Sequence, residues 1–270
     1  MTHSQSRLST NEIIENLEIC PGYFRMRIAC GSAFQDAVPG QFVMVRIHGR
    51  ATPLLSRPFS IHDLILQPSG VVAFDILYKI VGAGTEKLSG IPAGDRLDVL
   101  GPLGRGFSTR GNYDRIHMVA GGIGIAPFVF LGRHLMRQGI RCEQLSLFMG
   151  GRSSGDLLCL DMFEQMGIGL HKTTDDGSAG QCSLVTKPLA EAFGQTKPDI
   201  IFACGPTPML REVMKLSRQN DIPCQVSIET MMACGMGACL GCAVEQAGTQ
   251  STYLHACVDG PVFDADRIVL

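Results

Sequence analysis

At 270 residues the chain exceeds the usual size of one domain, so two or three domains are expected, and its 45% hydrophobic content suffices for substantial cores. Its 25 acidic and 23 basic residues leave a formal charge of −2 with no basic block, which excludes a phosphate backbone as the ligand and makes nucleic acid an unexpected partner. No apolar run reaches the roughly 20 residues of a membrane span, and the opening MTHSQSRLST lacks the pattern of a secretory signal, so a reducing, cytoplasmic setting is expected.

From Asn11 to about Val99 short apolar runs alternate with turns: Tyr23 to Ile28, Gln41 to Ile47, Val71 to Val81 and Asp95 to Val99. Period-two patterning, punctuated by Pro39-Gly40, Pro68-Ser69-Gly70 and Pro92-Ala93-Gly94, predicts an antiparallel barrel or sandwich. Three pieces go beyond that. In Ser56-Arg57-Pro58-Phe59-Ser60-Ile61, Arg57 suits an anionic phosphate, Pro58 fixes the path and Ser60 offers a hydroxyl. Gly82-Ala83-Gly84-Thr85 leads into a short helix, whose first N–H groups suit a phosphate. Gly101 to Phe107 is a glycine-rich connection that permits close backbone approach. Each piece alone is an ordinary turn; their order and combination point to a dinucleotide.

After the turn at Gly111-Asn112, Arg115 to Ala120 reads as a buried parallel strand. It enters Gly121-Gly122-Ile123-Gly124-Ile125-Ala126-Pro127 and then a helix from Phe128 to Arg137. Strand, glycine turn and helix are the context of a pyrophosphate site. Pro127 stands where the last glycine of G-x-G-x-x-G would be, which a helix start tolerates. Further units follow: strand Gln144 to Met149 with Gly150-Gly151-Arg152, and helix Leu157 to Met166. Strand Gly169 to Thr173 ends at Thr174-Asp175-Asp176-Gly177. Strand Asp199 to Cys204 ends at Gly205-Pro206-Thr207-Pro208, before helix Met209 to Gln219. An open α/β sheet is predicted, with the polar residues after its strands on the ligand-binding edge. Arg152 is equally readable as a surface charge, and Cys204 as a core thiol.

The tail carries Cys234, Cys239, Cys242 and Cys257 in the spacing C-x4-C-x2-C-x14-C, that of a plant-type two-iron, two-sulfur cluster. Gly235, Gly237 and Gly241 leave the backbone free to bring N–H groups toward sulfur. Zinc is the competing ligand, but its sites pair C-x2-4-C knuckles at both ends, whereas three sulfurs crowd together here. Cys20, Cys30, Cys142, Cys159, Cys182, Cys204 and Cys224 are scattered singly, as free thiols are.

Together these motifs resemble the ferredoxin-NADP reductase superfamily over residues 11–225. The tail, Glu229 to Cys242 and Cys257 to Phe263, is similar more narrowly to the electron-transfer subunits of class 1B dihydroorotate dehydrogenase. The resemblance implies an N-terminal antiparallel β-barrel binding FAD (residues 1–110), an α/β domain with a parallel sheet binding NAD (111–225) and a small 2Fe-2S domain (226–270). It implies that Arg57, Pro58, Phe59 and Ser60 contact FAD, that Gly84 and Thr85 lie against its pyrophosphate, and that Leu77, Tyr78 and Lys79 run beside the flavin. It assigns Gly122, Gly124 and Pro127 to the nicotinamide-nucleotide lobe, Cys204, Gly205 and Pro206 to the nicotinamide, and Asp175, Asp176 and Gly177 to a polar turn of that lobe. Cys234, Cys239, Cys242 and Cys257 are the implied cluster ligands.

Many single-subunit members of the superfamily finish on an aromatic residue stacked on the flavin, whereas this chain continues into the cysteine segment, so Phe263 receives no such role. The implied partner is an FMN-containing catalytic subunit, in a heterotetramer of two subunits of each kind, that oxidises dihydroorotate in pyrimidine biosynthesis. Electrons would pass through cluster and FAD to NAD, with no catalytic acid or base on this chain. A reductase subunit serving a hydrogenase, sulfur reductase or ferredoxin-linked partner is the alternative, and a zinc-bound assembly module a third reading.

Overall fold

The computed structural model describes residues 7–50, 52, 54–249 and 251–270. Six strands close an antiparallel barrel in the order β1-β2-β5-β4-β3-β6: β1 (Arg7–Cys20), β2 (Tyr23–Ala29), β3 (Phe42–Ile47), β4 (Arg57–Gln67), β5 (Gly70–Lys79) and β6 (Arg96–Leu103). A short helix, α1 (Ala83–Ser89), joins β5 to β6. Alternation fills the interior with Met26, Ile28, Val43, Val45, Ile61, Phe74, Ile76, Leu97 and Val99, all essentially inaccessible. Burying side chains of this size contributes on the order of 2 kcal/mol each. The barrel alternative of the two predicted architectures is thus the one adopted.

β5 departs from simple alternation because both of its faces are covered, the outer one by the next lobe. Tyr23 and Leu77 pack into the core of that lobe, while Phe130 from its first helix packs into the barrel. The lobe is a seven-stranded sheet of order β10-β9-β8-β7-β11-β12-β15, its last strand β15 (Val262–Asp264) coming from the tail. Its parallel strands are β7 (Ile116–Gly121), β8 (Leu145–Gly151), β9 (Gly169–Thr174), β10 (Gln181–Cys182), β11 (Ile200–Cys204) and β12 (Cys224–Ser227). Helices α2 (Phe128–Arg137), α3 (Leu160–Gln165), α4 (Thr186–Gln195) and α5 (Thr207–Gln219) connect them. The predicted helix 157–166 is shorter because a 3-10 turn at Ser154–Asp156 precedes it and Cys159 turns left-handed at φ 59°.

The tail forms a hairpin, β13 (Ala243–Glu245) with β14 (Tyr253–His255), and then returns. Its last strand, β15 (Val262–Asp264), pairs antiparallel with β12, Phe263 opposite Val226. Phe263, 2% exposed, shares a core with Cys242, Cys257, Met44 and Leu103, which joins tail, sheet and barrel. Its ring is therefore spent on packing. No helix among the described residues is long and apolar enough to cross a membrane.

Candidate functional site

β7 and β11 are neighbours from which the chain winds outward on opposite sides, so the crevice beyond their carboxyl ends is the switch point where α/β sheets take ligands. Two predicted segments meet there. Gly122 turns at φ +53°, and a Cβ on Gly124 would lie 2.2 Å from the Cys204 carbonyl oxygen. A Cβ on Gly205 would press on Met209 Cε and on the Gly121 backbone. Gly121, Gly124, Cys204, Gly205 and Pro206 thus form one close-packed surface, with Gly122 open beside it. A 3-10 turn over Gly122–Ile125 separates β7 from α2, and Pro127 stands at the helix N-cap. The path differs from a direct Rossmann turn for that reason. Burial pushes the Cys204 thiol up to about 12, against a weaker lowering by its hydrogen bond with Ser227.

Along the same edge, Asp175 and Asp176 donate their backbone N–H groups to the carbonyls of Gly151 and Arg152, at 3.0 and 3.1 Å. The Asp176 carboxylate accepts from both the N–H and the hydroxyl of Ser178, which hold it below the usual carboxylate range, and Gly177 turns at φ +73°. Arg152 leaves its guanidinium 81% exposed beside this turn.

On the barrel, Arg57, Pro58, Phe59 and Ser60 make a half-buried strip at the start of β4, paired residue by residue with Val45, Met44, Val43 and Phe42. Proline is tolerated because β4 begins there. The Arg57 side chain lies over α1, where a Cβ on Gly84 would come within 2.7 Å of its Nε. This guanidinium also donates to the Leu55 carbonyl. Thr85 is buried; its hydroxyl accepts from the Val81 N–H and donates to the Gly82 carbonyl, so it shapes the loop rather than facing outward. Tyr78 lies inside the barrel, its hydroxyl 3.0 Å from Asn16 Oδ1, with Phe24 and Phe59 against its ring. Leu77 is buried toward the nucleotide lobe.

Lys79 projects between the lobes, its ammonium 2.6 Å from the Tyr23 hydroxyl, which itself donates to Asp156. Burial opposes the ionisation of Asp156, but hydrogen bonds from Tyr23 and the Arg152 N–H hold its carboxyl below the usual range. Farther along the interface, His62 donates to the Ala126 carbonyl at 2.6 Å and Asp63 pairs with Arg133. Burial pushes the His62 imidazole below its usual range.

The cysteine loop packs on the barrel, for a Cβ on Gly235 (φ +73°) would sit 2.5 Å from Met44 Cγ. Cys242 and Cys257 are buried with their sulfurs 3.2 Å apart, Cys234 is half-buried and Cys239 exposed. Backbone N–H groups of Met236 and Cys239 point at the Cys234 sulfur at 3.4 Å, and that of Gly237 at the Cys257 sulfur at 3.1 Å. Those bonds pull the Cys234 thiol down into the range where thiolate forms, whereas burial pushes Cys257 up. Among the described residues no three His, Cys, Asp or Glu side chains already stand in metal-coordinating positions. Three thiols on one loop and a fourth after the β13–β14 hairpin, with amide N–H groups turned on sulfur, are nonetheless the donor set an iron–sulfur cluster takes, and the amides would offset its negative charge.

Tyr23 and Asp156 are the residues that sequence reasoning passed over. They lie 133 positions apart, and neither carries a local motif.

Two family models match the chain: the iron-sulfur cluster binding domain of dihydroorotate dehydrogenase B over residues 229–269 and the oxidoreductase NAD-binding domain over residues 118–215. A dihydroorotate dehydrogenase B (NAD(+)) electron transfer subunit from Desulforamulus reducens is 37% identical, the match covering 98% of this chain and 99% of the relative. The subunit of the same description from Shouchella clausii is 33% identical over the full length of both. Among solved structures, a chain of the NADH-dependent reduced ferredoxin-NADP oxidoreductase superposes with a TM-score of 0.82 at 31% identity, covering 97% of this chain and 90% of that one.

Proposed function

Because this chain belongs to the family of dihydroorotate dehydrogenase B electron-transfer subunits, we propose that it carries electrons from an FMN-containing catalytic partner to NAD. The route runs through a 2Fe-2S cluster on Cys234, Cys239, Cys242 and Cys257 and FAD on the barrel. An NAD-binding domain and an iron-sulfur domain are present in the chain. FAD supplies the conversion between the hydride pair of a nicotinamide and the single electrons of a cluster. The chain's own residues bind and space the groups. Arg57, Pro58, Phe59 and Ser60 hold the flavin with Gly84, while Thr85, Leu77 and Tyr78 shape that surface from behind and Lys79 reaches across to the nucleotide lobe. Gly122, Gly124, Pro127, Cys204, Gly205 and Pro206 receive the nicotinamide nucleotide, and Asp175, Asp176 and Gly177 border its adenosine end. The corresponding functional division is residues 1–110, 111–225 and 226–270.

The observation that carries this reading is the place of β3. Met44 pairs with Pro58 of the flavin strip on one side and touches the cysteine loop at Gly235 on the other. Flavin strip and cysteine loop therefore both border β3, the adjacency that electron transfer between flavin and cluster requires. The loop also presents Met231, Met236, Leu240 and Val258 to solvent, 45–89% exposed, an adaptable apolar surface for a partner. The second reading, a ferredoxin-linked reductase subunit, has the 31% likeness to the ferredoxin-NADP oxidoreductase chain in its favour.

Reconstitution with an FMN-containing dihydroorotate dehydrogenase subunit separates them. Added chain should confer dihydroorotate-dependent reduction of NAD, and the two should co-elute as a complex of two copies of each. NADP should be the poorer acceptor, because Asp175 and Asp176 would repel its additional phosphate. Absence of coupling, with ferredoxin reduced by NADH instead, would favour the second reading; equal efficiency with NADP would overturn the coenzyme assignment.

A further inference from the structure

The turn after β8, residues 152–156, borders the switch-point crevice, and part of what holds it comes from outside the nucleotide lobe. Asp156 is its pivot: one carboxylate oxygen accepts from the Arg152 N–H at 3.1 Å, and the other accepts from Tyr23 on barrel strand β2. Lys79 of β5 approaches the same pair, 2.6 Å from the Tyr23 hydroxyl and 3.5 Å from Asp156, with its ammonium 4.5 Å from the centre of the Tyr23 ring. The Cys20 thiol donates to the Gly155 carbonyl at 3.4 Å. Gly151 permits the fold-back, since a Cβ there would stand 2.8 Å from Asp156 Cβ. From this turn the chain of contacts continues to the acidic one: Asp176 donates to the Arg152 carbonyl, and Ser154 donates its N–H to the Ser178 hydroxyl at 2.7 Å.

We propose that Tyr23, Lys79 and Asp156 form an interlobe latch by which the barrel fixes the β8 turn in its coenzyme-receiving shape, making Tyr23 and Asp156 positioning residues for nicotinamide-nucleotide binding. The latch rests on the reading of the nucleotide lobe given above. Both act through the Arg152 backbone, Asp156 directly and Tyr23 through Asp156. Without the latch the turn keeps only its bonds to Asp176, Ser178 and Cys20, and affinity falls while the electron-transfer centres are untouched.

The test uses cofactor-loaded protein and two variants, Tyr23→Phe and Asp156→Asn. ADP-ribose, which carries no nicotinamide and needs no turnover, is titrated calorimetrically, and dye reduction by NADH is measured alongside. The expected result is a rise in the ADP-ribose Kd of about 3- to 10-fold, a part of the equilibrium worth of one hydrogen bond to a carboxylate, because the bond acts on the coenzyme only through the turn. KM for NADH should rise with it, while kcat and flavin content stay within about twofold of the parent. Unchanged affinity in Tyr23→Phe with normal flavin and iron content overturns the latch, as does a fall in kcat at constant KM. If Asp156→Asn does not fold, Tyr23→Phe decides alone, because phenylalanine keeps the buried ring and removes only the hydroxyl. Failure of the parent protein to bind ADP-ribose would overturn the nucleotide reading and the latch with it; binding that the variants leave intact overturns the latch alone.

Discussion

Cys242→Ser should abolish the iron–sulfur absorbance and also lower the stability of the cluster-free protein, whereas Cys239→Ser should abolish the absorbance alone. Both cysteines are assigned to the cluster, so either change removes one thiolate and should leave at most a small residue of bound iron. They differ in surroundings. Cys242 is 2% exposed, 3.2 Å from the Cys257 sulfur and packed in the core that includes Phe263 and Met44. A serine hydroxyl there is smaller and poorly paired, which costs about 1–3 kcal/mol. Cys239 is exposed, and its replacement should shift the melting temperature of apoprotein within error. Metal and acid-labile sulfide analysis reads the first effect, and thermal melts of both variants stripped of iron read the second. FAD and the dye-linked oxidation of NADH should survive in each. Equal melting temperatures would refute the burial argument; zinc without labile sulfide in the parent would refute the ligand assignment.

Gly124→Ala should cost far more activity than Gly122→Ala, though the two glycines stand two residues apart. The added methyl at Gly124 meets backbone, 2.2 Å from the Cys204 carbonyl oxygen and 2.7 Å from Gly205 Cα, and no side-chain rotation relieves it. The β7 and β11 turns must part by about 1 Å, a misplacement that lowers turnover on the order of 100-fold. At Gly122 the methyl would point into open space, and only the left-handed backbone at φ +53° is strained, a cost of roughly 1–2 kcal/mol. The dye-linked rate with NADH, compared at equal flavin content, separates them. Equal losses would show that backbone conformation rather than the contact with Cys204 governs the crevice.

The parts legible in the sequence are those whose chemistry imposes local spacing. Cys234, Cys239 and Cys242 must wrap one small group, and Gly122 and Gly124 must turn within a few residues, so both motifs could be read directly. The strand at β7 was equally plain, since six consecutive buried residues leave a continuous apolar run. β1 was not, because RLSTNEIIENLEIC exposes Ile14, Leu17 and Ile19 and carries bulges that break the period of two. β4 was masked by Pro58 and by the ligand-like reading of Arg57 to Ser60. Three-residue β15 has no period to detect; its place follows from pairing with β12 more than thirty positions earlier. The interlobe contacts of Tyr23, Lys79 and Asp156 depend on the docking of two separately folded layers, which no window of sequence contains. The same holds for Met44, an ordinary core residue of β3 until the tail folds back upon it.

The central claim, that the chain joins a two-electron carrier to a one-electron exit, is tested most directly by anaerobic titration of the purified, cofactor-loaded protein with NADH. Visible spectra follow the flavin, and low-temperature electron paramagnetic resonance follows the cluster. The account predicts that NADH bleaches the flavin and that a reduced 2Fe-2S signal grows in the same titration, without any partner present. Bleached flavin with no cluster signal, in protein whose iron and sulfide content is intact and whose cluster is reducible by dithionite within the potential range of NADH, would contradict it.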